Sequence, residues 1–227
     1  MAVNLPPCLA HPLGTDNFGR DILSRVMSGS GMTFFVSILT VAIGAAAGTV
    51  IGAFTGYFGG WLDEIVMRIN DMIMSFPSVL LALIFISFLG TGTMNMILAL
   101  GIVFVPGFAR IVRSEMIRCR ELDFVKSAKV MGIRPFRIIF SHILPNALVS
   151  MLTSAAIAFN NAVLAEASMS YLGLGVLPPQ PSLGRMLSEA QSSLFNAPWY
   201  AIAPGVTIIL IILGFSLISE GLRKYQH

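Results

Sequence analysis

Eight of the chain's 14 basic residues lie in one short stretch: Arg110, Arg113, Arg118, Arg120, Lys126, Lys129, Arg134 and Arg137. Only Glu115, Glu121 and Asp123 oppose them there. The same stretch carries Lys126-Ser127-Ala128, then Gly132, then His142-Ile143-Leu144-Pro145-Asn146. Long cations beside a small residue and a glycine offer recognition chemistry, a surface for another protein to grip. Reaction chemistry is missing. No nucleophile stands paired with a base, and the phosphate-binding pattern Gly-x-x-x-x-Gly-Lys-Ser/Thr does not occur. His11, His142 and His227 are scattered, so neither catalytic residues nor a metal site are expected, and the 13 methionines read as packing material. Nothing in the chain hydrolyses ATP or breaks a bond unaided.

The elements that must position this island are apolar. The chain is 56% hydrophobic and 11% charged, against about 25% charged in a soluble domain. No Asp, Glu, Lys or Arg occurs between Arg25 and Asp63, Asp71 and Arg110, Arg137 and Glu166, or Glu189 and Glu220. A helical membrane span needs about 20 mostly apolar residues, and these runs are continuous rather than alternating, which excludes a β-barrel. The fold class is all-α integral membrane with about five transmembrane helices. They fall near 32–57, 73–89, 94–112, 147–172 and 201–219, with Gly90-Thr91-Gly92-Thr93 splitting the long second gap into a hairpin.

Basic residues concentrate in cytoplasmic loops. With the island inside, Arg68, Arg223 and Lys224 are inside too, leaving only Arg20, Arg25 and Arg185 outside. A nucleic-acid partner is disfavoured, because the basic residues belong to the loop and tail of a membrane protein. Cys8 and Cys119 then lie on opposite sides and are not expected to pair. The N-terminal residues lack a basic and an apolar signal region, yet this topology puts them outside, and a preceding span would account for that. Residues 1–30 form an external segment, with 14–28 an amphipathic helix along the membrane surface. Residues 31–222 form the transmembrane domain, with a cytoplasmic loop at 113–146 and an external loop at 173–200. A cytoplasmic tail follows at 223–227.

Within the spans, Gly44, Gly48, Gly52, Gly56 and Gly60 recur every fourth residue. Small residues at this spacing let helix backbones approach closely, either within the chain or against a partner. Pro77 and Pro106 are expected to kink their spans. Glu166 is the only acid placed within a span. It falls roughly 27 Å along its helix, near the outer interface, either at the outer end of a pathway or bonded to a neighbouring helix. Asn160 and Asn161 lie deeper and are further pathway candidates. The glycine- and proline-rich loop from Tyr171 to Arg185 reads as a shaped turn, suited to docking a protein or to plugging a cavity mouth.

The spacing from Lys126-Ser127-Ala128 through Gly132 to His142-Ile143-Leu144-Pro145 resembles the EAA loop of ABC-importer permeases. That pattern runs Glu-Ala-Ala, three residues, Gly, nine residues, Ile-x-Leu-Pro. His11-Pro12-Leu13-Gly14-Thr15-Asp16 with Gly19-Arg20-Asp21 resembles the external segment of the dipeptide/oligopeptide/nickel permeases, in the C-type subunit. So does Leu172-Gly173-Leu174-Gly175 with Pro178-Pro179-Gln180-Pro181-Ser182-Leu183-Gly184. The likeness spans nearly all of residues 11–224. Lys126 departs from the pattern's Glu, Ser127 from its Ala and Leu183 from a usual Trp, and the family's first membrane helix is apparently absent.

The resemblance implies the permease subunit of an ATP-driven importer of di- or oligopeptides, with a nickel or metal-chelate importer as the close alternative. Two short loop helices joined near Gly132 would sit in a groove on a cytoplasmic ATPase. Glu121, Phe124, Lys126, Ser127, Ala128, Met131, Gly132, His142, Leu144 and Pro145 would make the coupling. Asn160, Asn161 and Glu166 would line the pathway. No cofactor would bind this chain; ATP and Mg would sit on partner ATPases. The partners implied are a second homologous permease in a heterodimer, two ATP-binding subunits, an extracytoplasmic substrate-binding protein and the lipid of a bacterial or archaeal cytoplasmic membrane. A secondary transporter is the competing class. It would call for inverted repeats and ionisable residues at mid-span, and neither is evident.

Overall fold

The computed structural model describes residues 3–224, without the side chains of Val149 and of 222–224. Residues 225–227 of the expected tail lie outside the described residues. Three helices are long and apolar enough to cross a membrane, and two bent helix pairs bring the number of spans to as many as five.

The first helix, α1 (Ile22–Phe58), begins where Asp21 accepts the Ser24 N–H at 2.8 Å, an N-cap that satisfies one orphan donor. Its 37 residues reach about 56 Å, well beyond a hydrocarbon core of about 30 Å. The separate surface helix expected over 14–28 is therefore not separate. Residues 22–28 are the first turns of α1, and the stretch before Asp21 is a chain of turns. Single glycines at 29 and 31 cost only about 1 kcal/mol each in a helix. Gly29 is moreover pressed against the Ser182 backbone, so packing decides the matter.

Gly59 and Gly60, both with positive φ, break the chain into α2 (Gly60–Met74). A 94° bend then separates α2 from α3 (Ser78–Leu89). Pro77 was expected inside a span, but it sits at this break as the residue that opens α3. Proline at a helix entry sacrifices no helix bond. The expected span 73–89 is thus an α3 of 12 residues, about 18 Å long, preceded by a helix at a steep angle. By contrast, Pro106 does lie within α4 (Thr93–Arg120), and its carbonyl accepts the Asn70 side-chain amide of α2 at 3.0 Å.

After α5 (Asp123–Val130), helical backbone resumes at α6 (Pro135–Arg137). It widens into a π-helical turn at Ile138–Ile143 and continues as α7 (Leu144–Tyr171). A residue before proline is biased away from helix, yet Leu144 has ordinary helical angles. A π-turn wraps an extra residue, which loosens the ladder where Pro145 offers no N–H, and the Asn146 side chain covers the His142 carbonyl at 2.6 Å. The bend of 59° comes a turn later. The remaining helices are α8 (Leu183–Ala190) and α9 (Trp199–Lys224).

The most extensive helix pair is α1 with α4, and the glycine stripe forms its seam. A Cβ at Gly48 would come within 2.6 Å of Phe108 Cβ. One at Gly52 would fall on the Ala109 carbonyl, and Gly44 and Gly56 face Phe104 and Arg113 in the same way. The stripe thus packs within the chain, where close helix approach gains dispersion contacts in place of a hydrophobic drive. Gly60 lies outside the seam, at the break. Apolar clusters fill the two ends of the bundle. One joins the C-terminal ends of α1 and α4 to the island. The other joins the start of α1 to the end of α7, to α8 and to α9.

Candidate coupling surface and translocation groove

The island folds as a small platform. Asp123 lies in the first turn of α5 and Lys129 in the last, each sign matching the helix dipole. Val125 and Ala128 turn inward onto Met116, Cys119, Ile138 and Ile139. The helix ends in a Schellman motif: the Gly132 N–H donates to the Lys129 carbonyl at 3.0 Å and the Ile133 N–H to the Ala128 carbonyl at 3.1 Å. Gly132 has φ +73°, a conformation glycine adopts without the Cβ penalty. A Cβ there would meet nothing within 4 Å. The platform is fastened to α1 at Phe54, whose ring meets that of Phe136 edge-on at 5.7 Å between centroids, and at Tyr57. Lys129 Nζ stands 5.5 Å from the Tyr57 ring centre, and the Arg120 guanidinium donates to the Tyr57 carbonyl at 3.3 Å.

The outward face of the platform is apolar and basic together. Val130 is 89% exposed and Met131 71%, with Leu122, Phe124 and Phe136 also open to solvent. Glu121, Lys126, Ser127, Gly132 and Pro145 are exposed, His142 and Leu144 half-buried, and Ala128 buried. Ala128 thus supports the platform from beneath. Among the described residues, Lys126, Arg134 and Arg137 have no ion-pair partner. The nearby pairs Arg113–Asp63, joined by two bonds, and Arg110–Asp71 tie α4 to α2 instead.

Between α3, α4 and α7 runs a groove. A hollow of about 410 Å³ is lined in part by Ser78, Leu100, Phe104, Asn161 and Ser168, and a neighbouring one of about 220 Å³ shares Phe104 and Asn161. Asn161 therefore faces open space. Asn160 does not line these hollows, and its Oδ1 is buried without a hydrogen-bond partner among the described residues. Glu166, expected either at the outer end of a pathway or bonded to a neighbouring helix, is fully enclosed, with Thr33 and Ser170 hydroxyls donating to its carboxyl. It bonds to a neighbouring helix and lines neither of these hollows.

At the opposite end from the island, sequence reasoning missed a cluster. Arg25 Nη1 donates to Asp16 Oδ2 at 2.8 Å, to Glu189 Oε2 at 2.8 Å and to the Tyr200 hydroxyl at 3.0 Å. Arg20 bridges the same two acids, and Arg185 reaches Glu189 Oε1 at 3.1 Å. Burial alone would raise the pKa of Asp16. The Arg20 and Phe18 backbone N–H groups, with the Arg20 and Arg25 side chains, outweigh it and hold the carboxyl below its ordinary value. Burial likewise raises that of Glu189, but hydrogen bonds and charge from Arg25, with help from Tyr200 and Arg20, bring it below the ordinary range. The signal lay in the sequence as Arg20, Arg25 and Arg185, the three basic residues placed outside, beside the acids Asp16 and Glu189, but nothing in their spacing pairs residues this far apart.

A family model described as "Binding-protein-dependent transport system inner membrane component" matches residues 48–227. The chain belongs to this family. As a binding-protein-dependent transport permease, it is a multi-pass inner-membrane subunit of an ABC importer, with ATP hydrolysis on separate subunits and a substrate-binding protein as a further partner. That sets the secondary-transporter reading aside. The chain is 42% identical to the dipeptide transport system permease protein DppC of Alkalihalophilus pseudofirmus, over 96% of this chain and 71% of that protein. It is 39% identical to the glutathione transport system permease protein GsiD of Pectobacterium atrosepticum, over 97% and 73% respectively. Among solved structures, an inward-facing MetNI methionine ABC transporter superposes with TM-score 0.68 at 21% identity, over 89% of this chain and 95% of that one. An amino acid ABC transporter crystallised with histidines superposes with TM-score 0.67 at 19% identity, over 89% and 94%. At these identities the structures speak for the fold.

Proposed function

We propose that this permease carries di- or oligopeptides, glutathione-like tripeptides included, and that the island platform is its point of coupling to an ATPase. The cargo reading rests on relatives named for dipeptides and for glutathione, which does not favour the nickel alternative. The coupling reading is carried by one observation: α5 and the Gly132 turn present Phe124, Val130 and Met131 beside unpaired Lys126, Arg134 and Arg137. A monomeric surface of exposed apolar residues rimmed by charge marks a protein contact. With 113–146 facing the cytoplasm, the loop at 173–200 faces outside and docks the binding protein.

The groove between α3, α4 and α7 forms this subunit's half of the pathway, and a second homologous permease in a heterodimer closes it. Asn161, Ser78 and Ser168 give it neutral polar atoms that can exchange hydrogen bonds with a passing peptide backbone without trapping a charge. Asn160 lies behind that surface. ATP and Mg sit on two partner ATPases, in the cytoplasmic membrane of a bacterium or archaeon.

The test is Gly132→Trp in the reconstituted complex. The site has room within the chain, and its left-handed backbone costs a non-glycine residue only about 1–2 kcal/mol, so the variant still inserts and assembles, but the bulk stands where the ATPase must seat. ATP hydrolysis persists while ATP-driven peptide uptake into proteoliposomes falls at least about tenfold, equivalent to about 1.4 kcal/mol. Wild-type uptake by that variant would sink the coupling assignment.

A further inference from the structure

Glu166 has no cation within ion-pair distance among the described residues, yet it is fully buried where α1, α7 and α8 meet. Two hydroxyls donate to it at short range, and the Ser182 hydroxyl lies near enough to interact as well. Thr33 of α1 donates to Oε2 at 2.9 Å and Ser170 of α7 to Oε1 at 2.6 Å. A hydroxyl that gives its one proton to a carboxyl still has lone pairs for another donor, and both are used. The Val176 N–H donates to Ser170 Oγ at 3.2 Å and the Leu183 N–H to Thr33 Oγ1 at 3.4 Å. Two relays therefore run from backbone amide to hydroxyl to a single carboxyl. Neither amide has a helical partner: Val176 lies in the irregular loop, and Leu183 opens α8, where first-turn N–H groups are orphans. Close packing reinforces the joint. A Cβ at Gly184 would fall on the Ala167 backbone, and one at Gly29 would lie 3.3 Å from the Ser182 carbonyl carbon.

We propose that Glu166 is a positioning residue for binding-protein docking. Its carboxyl gathers the two relays that hold the loop from Val176 to Leu183 in register with α1 and α7, so the face offered to the binding protein moves with this helix pair. The proposal rests on the reading above, in which this loop faces outside and receives a substrate-binding protein. Removing the carboxyl leaves both hydroxyls free to rotate, which loosens both amides. Removing one hydroxyl frees one of them, a specificity that a general packing defect does not produce.

The experiment uses the assembled transporter in lipid nanodiscs. It reads hydrogen exchange at the Val176 and Leu183 amides, and the concentration of dipeptide-loaded binding protein that half-maximally stimulates ATP hydrolysis. Glu166→Ala speeds exchange at both amides and raises the half-maximal concentration about tenfold, the scale of a buried hydrogen-bond partner lost. Glu166→Gln recovers part of both effects, because its amide oxygen still accepts one relay. Thr33→Val speeds exchange at Leu183 alone and Ser170→Ala at Val176 alone; these near-isosteric variants keep the test decisive if Glu166→Ala does not fold. Unchanged exchange in the single-hydroxyl variants overturns the anchor. Faster exchange in Glu166→Ala with an unchanged half-maximal concentration overturns its role in docking. Failure of the wild-type complex to respond to binding protein at all would instead overturn the functional reading, before any substitution is made.

Discussion

The two ends of the bundle handle charge in opposite ways. At the cap end, Asp16, Arg20, Arg25, Arg185 and Glu189 spend their charges on one another and on Tyr200, and Asp16 and Arg25 are buried. At the island end, Lys126, Arg134 and Arg137 stand in solvent without an ion-pair partner among the described residues, next to exposed Val130 and Met131. The first arrangement completes itself within the chain. The second is complementary to something else. A buried charge cluster fixes geometry more than it adds net stability, so the cap is a rigid frame, whereas an exposed mixed surface is free to form and break a contact through a transport cycle.

The sharpest way to break this comparison is to attack the cap. Arg25→Ala removes the buried cation that Asp16 and Glu189 share and leaves only the more exposed Arg20 and Arg185 to serve them; breaking a buried pair costs up to about 3–5 kcal/mol. The unfolding midpoint of the solubilised complex should fall by many degrees; a midpoint within error of wild type would show that the cluster is dispensable. Gly48→Leu comes next. It forces a side chain into the α1–α4 seam, where the Phe108 Cβ and the Val105 carbonyl already fill the space a Cβ would take. Overpacking costs about 1–3 kcal/mol and should lower the yield of assembled protein. Normal yield would mean that the helices can part.

A smaller effect follows from acid. Asp16 and Glu189 both have folded-state pKa values below their ordinary ones. Groups of this kind add stability that is fully present above their unfolded pKa and is lost as pH falls through the folded one. The midpoint should be flat from pH 8 to about 5 and fall below about pH 4, with a shallower fall in Arg25→Ala. A loss of stability on raising the pH through 7 would have the wrong sign. The smallest effect belongs to the island. Met131→Asp alters an exposed side chain, so stability should stay within about 0.5 kcal/mol of wild type while coupled uptake drops. Destabilisation as large as that of the cap variants would erase the contrast.

The two ends were unequally legible in the sequence. Lipid excludes charge, so the charge-free runs marked the spans and set the island apart. The turn at Gly132 was readable too, because a small residue and a glycine at fixed spacing serve a local backbone need. Interactions that close over distance were not. Arg25 meets Glu189 across 164 residues, and no local periodicity encodes that pairing. Glu166 was placed near the outer end of its helix, but its enclosure depends on α8 folding back over α7, a tertiary event. At Pro145 a local rule gave way to packing. The preference of the preceding residue for extended backbone is modest, and a π-turn held by the buried Ile138, Ile139 and Ile143 overrode it.

The central claim is that the platform around Gly132 exists for a partner on the cytoplasmic side. Its most direct test is site-specific cross-linking from Met131→Cys, with the exposed Cys8 replaced by serine, in the assembled transporter. The account predicts a cross-link to an ATP-binding subunit and protection from membrane-impermeant thiol reagents in intact cells. Modification by an impermeant reagent from outside, or a cross-link to the substrate-binding protein, would contradict it.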